Sequence, residues 1–253
     1  MLLPQLRFFS RDRLLYNWKL SVFNKLDSTN NEALRRLLNS DQSGEVILAY
    51  SQTMGKGRAG REWVSCCGNL MMTATIEIEE RQRMSDLAFV GAVAVAEAVN
   101  ELLPQETRAE IKWPNDLMVG NRKLGGLLIE VSSRPLIAAL GIGLNLENAP
   151  KSDNFESACL LDFGVSIKPI KMSKLITQKL GVWIERWSLN GLTPVINQWK
   201  AWGKGIGETI RVRIAEQTIV DGKFIDIDKE GRMLLELSNG RSMTISAGDV
   251  LFE

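Results

Sequence analysis

The stretch Gly55-Lys56-Gly57-Arg58-Ala59-Gly60 spells G-x-G-x-x-G, and what flanks it decides the fold. A dinucleotide-binding fold needs a strand before these glycines and a helix after them. The strand is there: Glu45–Gln52 is an apolar run of strand length. The helix is not. Residues 61–69 show no helical period, and Leu70, Met72, Ala74, Ile76 and Ile78 then alternate as in a half-buried strand. Glu77 and Glu79 stand at the distance of a ribose-binding acid, but no crossover helix fits before them. A phosphate-binding P-loop is also excluded, because Gly57 rather than Ser or Thr follows Lys56. The motif is a loop between two strands.

The remaining pattern sets the architecture. Leu20–Leu26 predicts a strand. Thr29 and Glu32 stand in capping-box spacing before Leu34, Leu37 and Leu38, which predicts a capped amphipathic helix. Asp86–Leu103 predicts an apolar helix stopped by Pro104. Short strands follow at 109–113 and 116–120, and longer ones at 123–132 and 135–146, with a turn at Gly120-Asn121. Ser173–Trp187 has helical spacing, and a last helix starts with Thr193 as cap and Pro194 in its first turn. After Gly203 come only short strands, with turns expected at Gly222, Lys229–Gly231 and Asn239-Gly240. The expected fold class is α+β: a mixed sheet with helices over residues 1–203, and a small β-barrel over 204–253.

Absences narrow the chemistry. The 253 residues contain no histidine, which excludes Ser-His-Asp and Cys-His catalysis and His-ligated metals. Lys and Arg (31) nearly cancel Asp and Glu (30), so no specific nucleic-acid partner is expected. No apolar run reaches membrane-spanning length. The first residues, broken by Pro4 and Arg7, make a poor signal peptide. Three cysteines form no disulfide framework, so a cytoplasmic location is expected.

Four stretches remain as candidates. The loop combines three glycines, whose backbone can turn N–H groups toward an anion, with Lys56, Arg58 and Arg61, then Trp63. Its cations, taken as unpaired, predict a mobile loop. In Lys112–Glu130, Asn115 and Asp116 offer an amide and a carboxylate at a strand edge, and Lys123 precedes two glycines. Ser28, Thr29 and Asn30 begin a helix. Asn145 lies in Gly-Ile-Gly-Leu-Asn-Leu. Each has a plain alternative: a solvated turn, a hairpin, a cap, a strand end.

Taken together, DSTNNEAL, SQTMGKGRAGREWVS, KWPNDLMVGNRKLGGLLIE and GIGLNL, in this order, resemble the biotin protein ligases that act on acetyl-CoA carboxylase. The tail from Val220 to Leu237 resembles that family's SH3-like C-terminal domain. The resemblance implies a two-step reaction. Biotin and ATP, with Mg²⁺, give biotinyl-5'-AMP and pyrophosphate; a lysine of a biotin carboxyl carrier protein then takes the biotinyl group. It also implies roles. Ser28, Thr29, Asn30 and Gln52 would hold the biotin ring. Lys56, Gly57 and Arg58 would close over biotin and its adenylate, with Arg58 retaining the adenylate. Lys123 would meet the biotin carboxylate and α-phosphate, and Lys112 would act at the phosphoryl centre. Arg61, Trp63, Asn115 and Asn145 would contact the nucleotide, and Asp116 would take the carrier lysine's proton. Metal ligands and the choice between monomer and homodimer stay open.

Three departures stand out: Lys56 where the family usually has Arg, Cys66 where it usually has Pro, and no room before Leu20 for the winged helix of its repressor members. The alternatives are a lipoate or other acyl-adenylate ligase of related fold, and a non-catalytic adenylate-binding module.

Overall fold

Seven strands form one mixed sheet, and their alternation divides the residues between its two faces. The computed structural model describes residues 17–39, 43–78, 84–132, 136–151, 156–215 and 218–251; the N-terminal stretch read against a signal peptide, and Glu79, lie outside them. The strands are β1 (Lys19–Phe23), β2 (Glu45–Ala49), β3 (Leu70–Glu77), β4 (Ala109–Lys112), β5 (Asp116–Val119), β6 (Arg122–Val131) and β7 (Ile137–Leu144). Their order is β1-β2-β3-β7-β6-β5-β4. Only the β1–β2 pair is parallel.

Side chains alternate between faces along a strand. Leu70, Met72, Ala74 and Ile76 of β3 and Leu140, Ile142 and Leu144 of β7 join the large core. That core lies under α2 (Met84–Asn100), α3 (Pro169–Asn190) and α4 (Thr193–Trp202). α2 is buried on nearly all sides, as an all-round apolar helix must be. The other face carries α1 (Thr29–Leu37), which packs Ala33 against Ile47 and Ala139.

On this second face the strands present Met71 and Thr73, Gly126, Leu128 and Glu130, and Gly141 and Gly143. Small and polar residues there leave space, and the cavity forms in it.

Five further strands, β8 (Thr209–Ala215), β9 (Thr218–Ile227), β10 (Met233–Glu236), β11 (Ser242–Ile245) and β12 (Asp249–Leu251), form an antiparallel sheet in the order β11-β10-β9-β8-β12. Among the described residues β11 and β12 do not pair, so the expected barrel is an open sheet. Its inner side chains, Val212, Phe224, Met233 and Leu235, merge with the large core. The Trp113 indole N–H donates to the Gly231 carbonyl at 3.1 Å.

Three local expectations fail for physical reasons. No turn occurs at Gly222: it sits within β9 opposite Ile210, and a Cβ there would lie 2.7 Å from the Glu236 carbonyl and from Leu235. Close approach, not a turn, requires this glycine. α4 is capped by Leu192, with Thr193 already inside the helix. α2 stops at Asn100, whose side chain exchanges hydrogen bonds with the backbone of Ala109.

Candidate active site

The expected capping box on α1 does not form, and what replaces it builds one end of the site. The N-cap is Ser28, whose hydroxyl makes no capping bond. Glu32 pairs instead with Arg35 and Arg36. Asp27 anchors the helix start through Arg35 at 2.8 Å and Asn31 at 2.8 Å, and the Arg35 guanidinium holds its carboxyl far below the usual carboxylate range. Ser28, Thr29 and Asn30, all buried, are thereby free to face the cavity.

Their hydrogen bonds run into the sheet. The Gln52 Oε1 accepts from the Thr29 N–H at 2.8 Å and faces the Thr29 hydroxyl at 3.1 Å. The Thr73 hydroxyl lies 2.8 Å from that of Thr29 and 2.6 Å from Asn30 Oδ1. Asn30 Nδ2 donates to Glu130 Oε2 at 2.9 Å, which leaves its Oδ1 as acceptor.

Proton counting then says something about a ligand. Three oxygen–oxygen contacts share two hydroxyl protons, since each threonine carries one. Asn30 Oδ1 can only accept, so Thr73 gives it its proton; the Thr29 proton serves Gln52 or Thr73, not both. This end is short of donors and suits a ligand N–H.

The Gly-Arg segment is a small hairpin. Gly57 N–H donates to the Arg61 carbonyl at 2.7 Å, and Trp63 N–H to Gly55 at 3.0 Å. Ala59 sits at φ 52 in the left-handed region. The expected unpaired cations all have partners: Lys56 with Glu130 at 3.0 Å, Arg58 with the Asn115 Oδ1 at 3.0 Å, and Arg61 with Asp249 of β12 at 3.1 Å. Lys123 pairs with Asp116 at 2.7 Å and lies 6.0 Å from the centroid of the Trp63 ring. The Trp63 Nε1 and Ser157 Oγ are buried without a hydrogen-bond partner.

The two ends are spaced by β7. A Cβ on Gly141 would strike Asn30, and one on Gly143 would strike the Trp63 indole, each at 2.4 Å. Two residues of one strand face span about 7 Å. The resulting cavity, about 350 Å³, is lined by every residue singled out from the sequence except Lys112. Met71 and Leu128 supply apolar wall between the ends.

Lys112 lies just outside. It is paired in register with Asp116, and burial pushes its ammonium below the ordinary lysine value, with Asp116 opposing and Lys123 assisting. Asn145 lines the cavity, but its amide serves the protein. Nδ2 donates to the Ala158 carbonyl at 3.0 Å and Oδ1 accepts from Asn69 at 3.3 Å. Thr73, Glu130, Ser157 and the roles of Gly141 and Gly143 were missed from sequence; alternating glycines inside an apolar strand were the one available signal.

Comparison with known proteins identifies the family and the fold. Residues 22–147 match the biotin/lipoate A/B protein ligase family and residues 205–252 the biotin protein ligase C-terminal domain. The biotin–[acetyl-CoA-carboxylase] ligase of Mycobacterium tuberculosis is 32% identical over 95% of this chain and 93% of its own. The Paracoccus denitrificans ligase of the same name is 33% identical over 90% and 98%. The fold is that of the Aquifex aeolicus biotin protein ligase solved with biotin and ATP: TM-score 0.80, 21% identity, covering 92% of this chain and 97% of that one. The chain belongs to the biotin protein ligases.

Proposed function

We propose that the protein joins the biotin carboxylate to the α-phosphate of ATP and passes the biotinyl group to a lysine of the biotin carboxyl carrier protein of acetyl-CoA carboxylase, in the cytoplasm. Residues 1–203 carry the site, and residues 204–253 flank its phosphate end through Asp249. The observation that carries the reading is the pairing of a donor-poor amide end with a cationic end about 7 Å along β7. Biotin has a urea ring with N–H donors at one end and a carboxylate at the other, joined by an aliphatic chain that suits the apolar wall.

Position supports the following roles. Gln52, Thr29 and Asn30 accept from the ring, and the Ser28 hydroxyl meets its carbonyl. The carboxylate is already a nucleophile at neutral pH, so adenylation needs no base. Its obstacle is bringing two anions together, which fixed cations overcome. Lys123 exchanges Asp116 for the incoming carboxylate and α-phosphate. Lys112, Arg58 and Arg61 meet the phosphates, and the Trp63 indole, resting on Gly143, offers a face to the purine. Asp116, released from Lys123, takes the carrier lysine's proton in this reading. Asn115 acts by holding Arg58, and Asn145 by holding the strand end.

Among the described residues no group of three or more His, Cys, Asp or Glu is placed to hold a metal ion. Mg²⁺ carried by the triphosphate would take most of its ligands from phosphate and water. When bound it neutralises phosphate charge.

Biotin-dependent ATP–pyrophosphate exchange is the test. Exchange with biotin and none with lipoate is expected, because a dithiolane has no N–H for the donor-poor end and would leave buried acceptors unpaired. Equal exchange with lipoate, or none with biotin, overturns the reading.

A further inference from the structure

Glu130 touches both the polar end of the cavity and the loop that borders it. It lies on β6, on the face beneath α1. Its Oε2 accepts from Asn30 Nδ2 at 2.9 Å, and its Oε1 pairs with Lys56 Nζ at 3.0 Å. The Asn30 amide is fixed from its other side by Thr73 at 2.6 Å. The hairpin closes by its own backbone bonds and does not need Glu130 to form. What Glu130 adds is a connection between the two.

We propose that Glu130 is a positioning residue that latches the loop: it aims the Asn30 amide at the ligand ring and, through Lys56, holds the Gly55–Val64 hairpin over that ring. Ring binding and loop closure are then one event. The proposal rests on the biotin reading of the site and deepens it.

A carboxylate is required by the donor count. Asn30 Nδ2 and Lys56 Nζ can only donate toward this position, and a carboxylate offers each an oxygen. A glutamine must turn its NH₂ toward one of them. The side chains are 28% exposed for Glu130 and 38% for Lys56, so the bridge can open for a ligand and reclose. The single flexible ammonium of Lys56 reaches Glu130 at 3.0 Å without a bidentate grip.

The test is a mutant cycle read in pyrophosphate exchange and in labelling of a bystander protein. Glu130→Gln raises the biotin KM about tenfold, the loss of one charge-assisted hydrogen bond, lowers kcat by less, and lets adenylate escape to the bystander. Lys56→Met does the same, and Lys56→Arg restores the bridge and stays near the parent. The double variant is no worse than the worse single one, because both remove the same link. Additive losses, a fall in kcat with an unchanged biotin KM, or no change in either variant overturns the latch. Should Glu130→Gln fold poorly by its melting curve, Lys56→Met, made at a partly exposed side chain, carries the same KM measurement. If the unmodified protein shows no biotin-dependent exchange, the biotin reading fails; if it does and the cycle is additive, only the latch fails.

Discussion

The two ends of the cavity are built on opposite principles. At the α1 end, buried and half-buried neutral groups are hydrogen-bonded to one another: Thr29 to Gln52, and Thr73 to Asn30. At the loop end, charges sit in partly exposed pairs: Arg61 with Asp249, and Lys123 with Asp116. The neutral network is rigid and reads shape and donor placement, which gives specificity. The Arg61–Asp249 pair is open to solvent and therefore weak, and on the proposed function a substrate anion replaces the carboxylate partner of each cation. On the proposed function, recognition falls to fixed dipoles and chemistry to movable charges.

The largest expected effect separates two of those charges. Lys112 is proposed to act at the phosphoryl centre, and removing one such stabilising group costs roughly a hundred- to a thousandfold in rate. Lys112→Ala should nearly abolish single-turnover adenylation while biotin binding, measured by calorimetry, survives. Arg58 stands on the loop and bonds to Asn115, and its expected role is retention. Arg58→Gly should still form biotinyl-AMP and release it, biotinylating serum albumin in the same tube. If Arg58→Gly loses adenylation as fully as Lys112→Ala and labels nothing, the two share one electrostatic role.

A second comparison uses the same substitution at two places on one strand. Gly141→Ala drives a methyl into Asn30, and Gly143→Ala drives one into the Trp63 indole. Overpacking of this kind costs about 1–3 kcal/mol, or roughly 10- to 100-fold in affinity. The first should raise the KM for biotin and the second the KM for ATP, each leaving the other substrate closer to normal. Equal damage to both by either variant would mean that the two ends are one mechanical unit.

Much of this site was legible because its residues cluster in short stretches with unusual chemistry, such as three glycines among three cations. The fold was legible where periodicity changes, as in the switch to short strands after Gly203. What was not legible depends on register between distant segments. Nothing local marks Glu130 as the partner of both Asn30 and Lys56, because it is joined to them only by the sheet order. Thr73 reads as one of two threonines in a largely apolar strand. The capping box at Thr29 was a correct local inference overturned by tertiary partners: Gln52 and Thr73 claim its hydroxyl. Gly222 misled in the same way, its signature being that of a turn while its cause is contact with β10.

The smallest expected effect is in pH dependence, and it tests whether the small sheet takes part in the chemistry. Burial lowers the Lys112 ammonium below its ordinary value, and Asp116 and Asp249 work against that shift. Its charge is therefore lost at a lower pH than that of an exposed lysine, and adenylation should fall along the same alkaline limb. Lys112→Arg should push the limb upward, since arginine keeps its proton. Asp249→Asn removes an opposing charge, so the limb should move to lower pH. Stability has its own sign. The folded-state pKa lies below the unfolded one, so the unfolded chain binds more protons between the two and stability rises with pH through that window. Below it the cost of burying the charge is felt in full. Lys112→Met should consequently raise the melting temperature at neutral pH, with the gain shrinking as the pH climbs. An alkaline limb that ignores both Lys112→Arg and Asp249→Asn would remove Lys112 from the charge balance of the reaction and leave the β12 carboxylate as a tether for Arg61 alone.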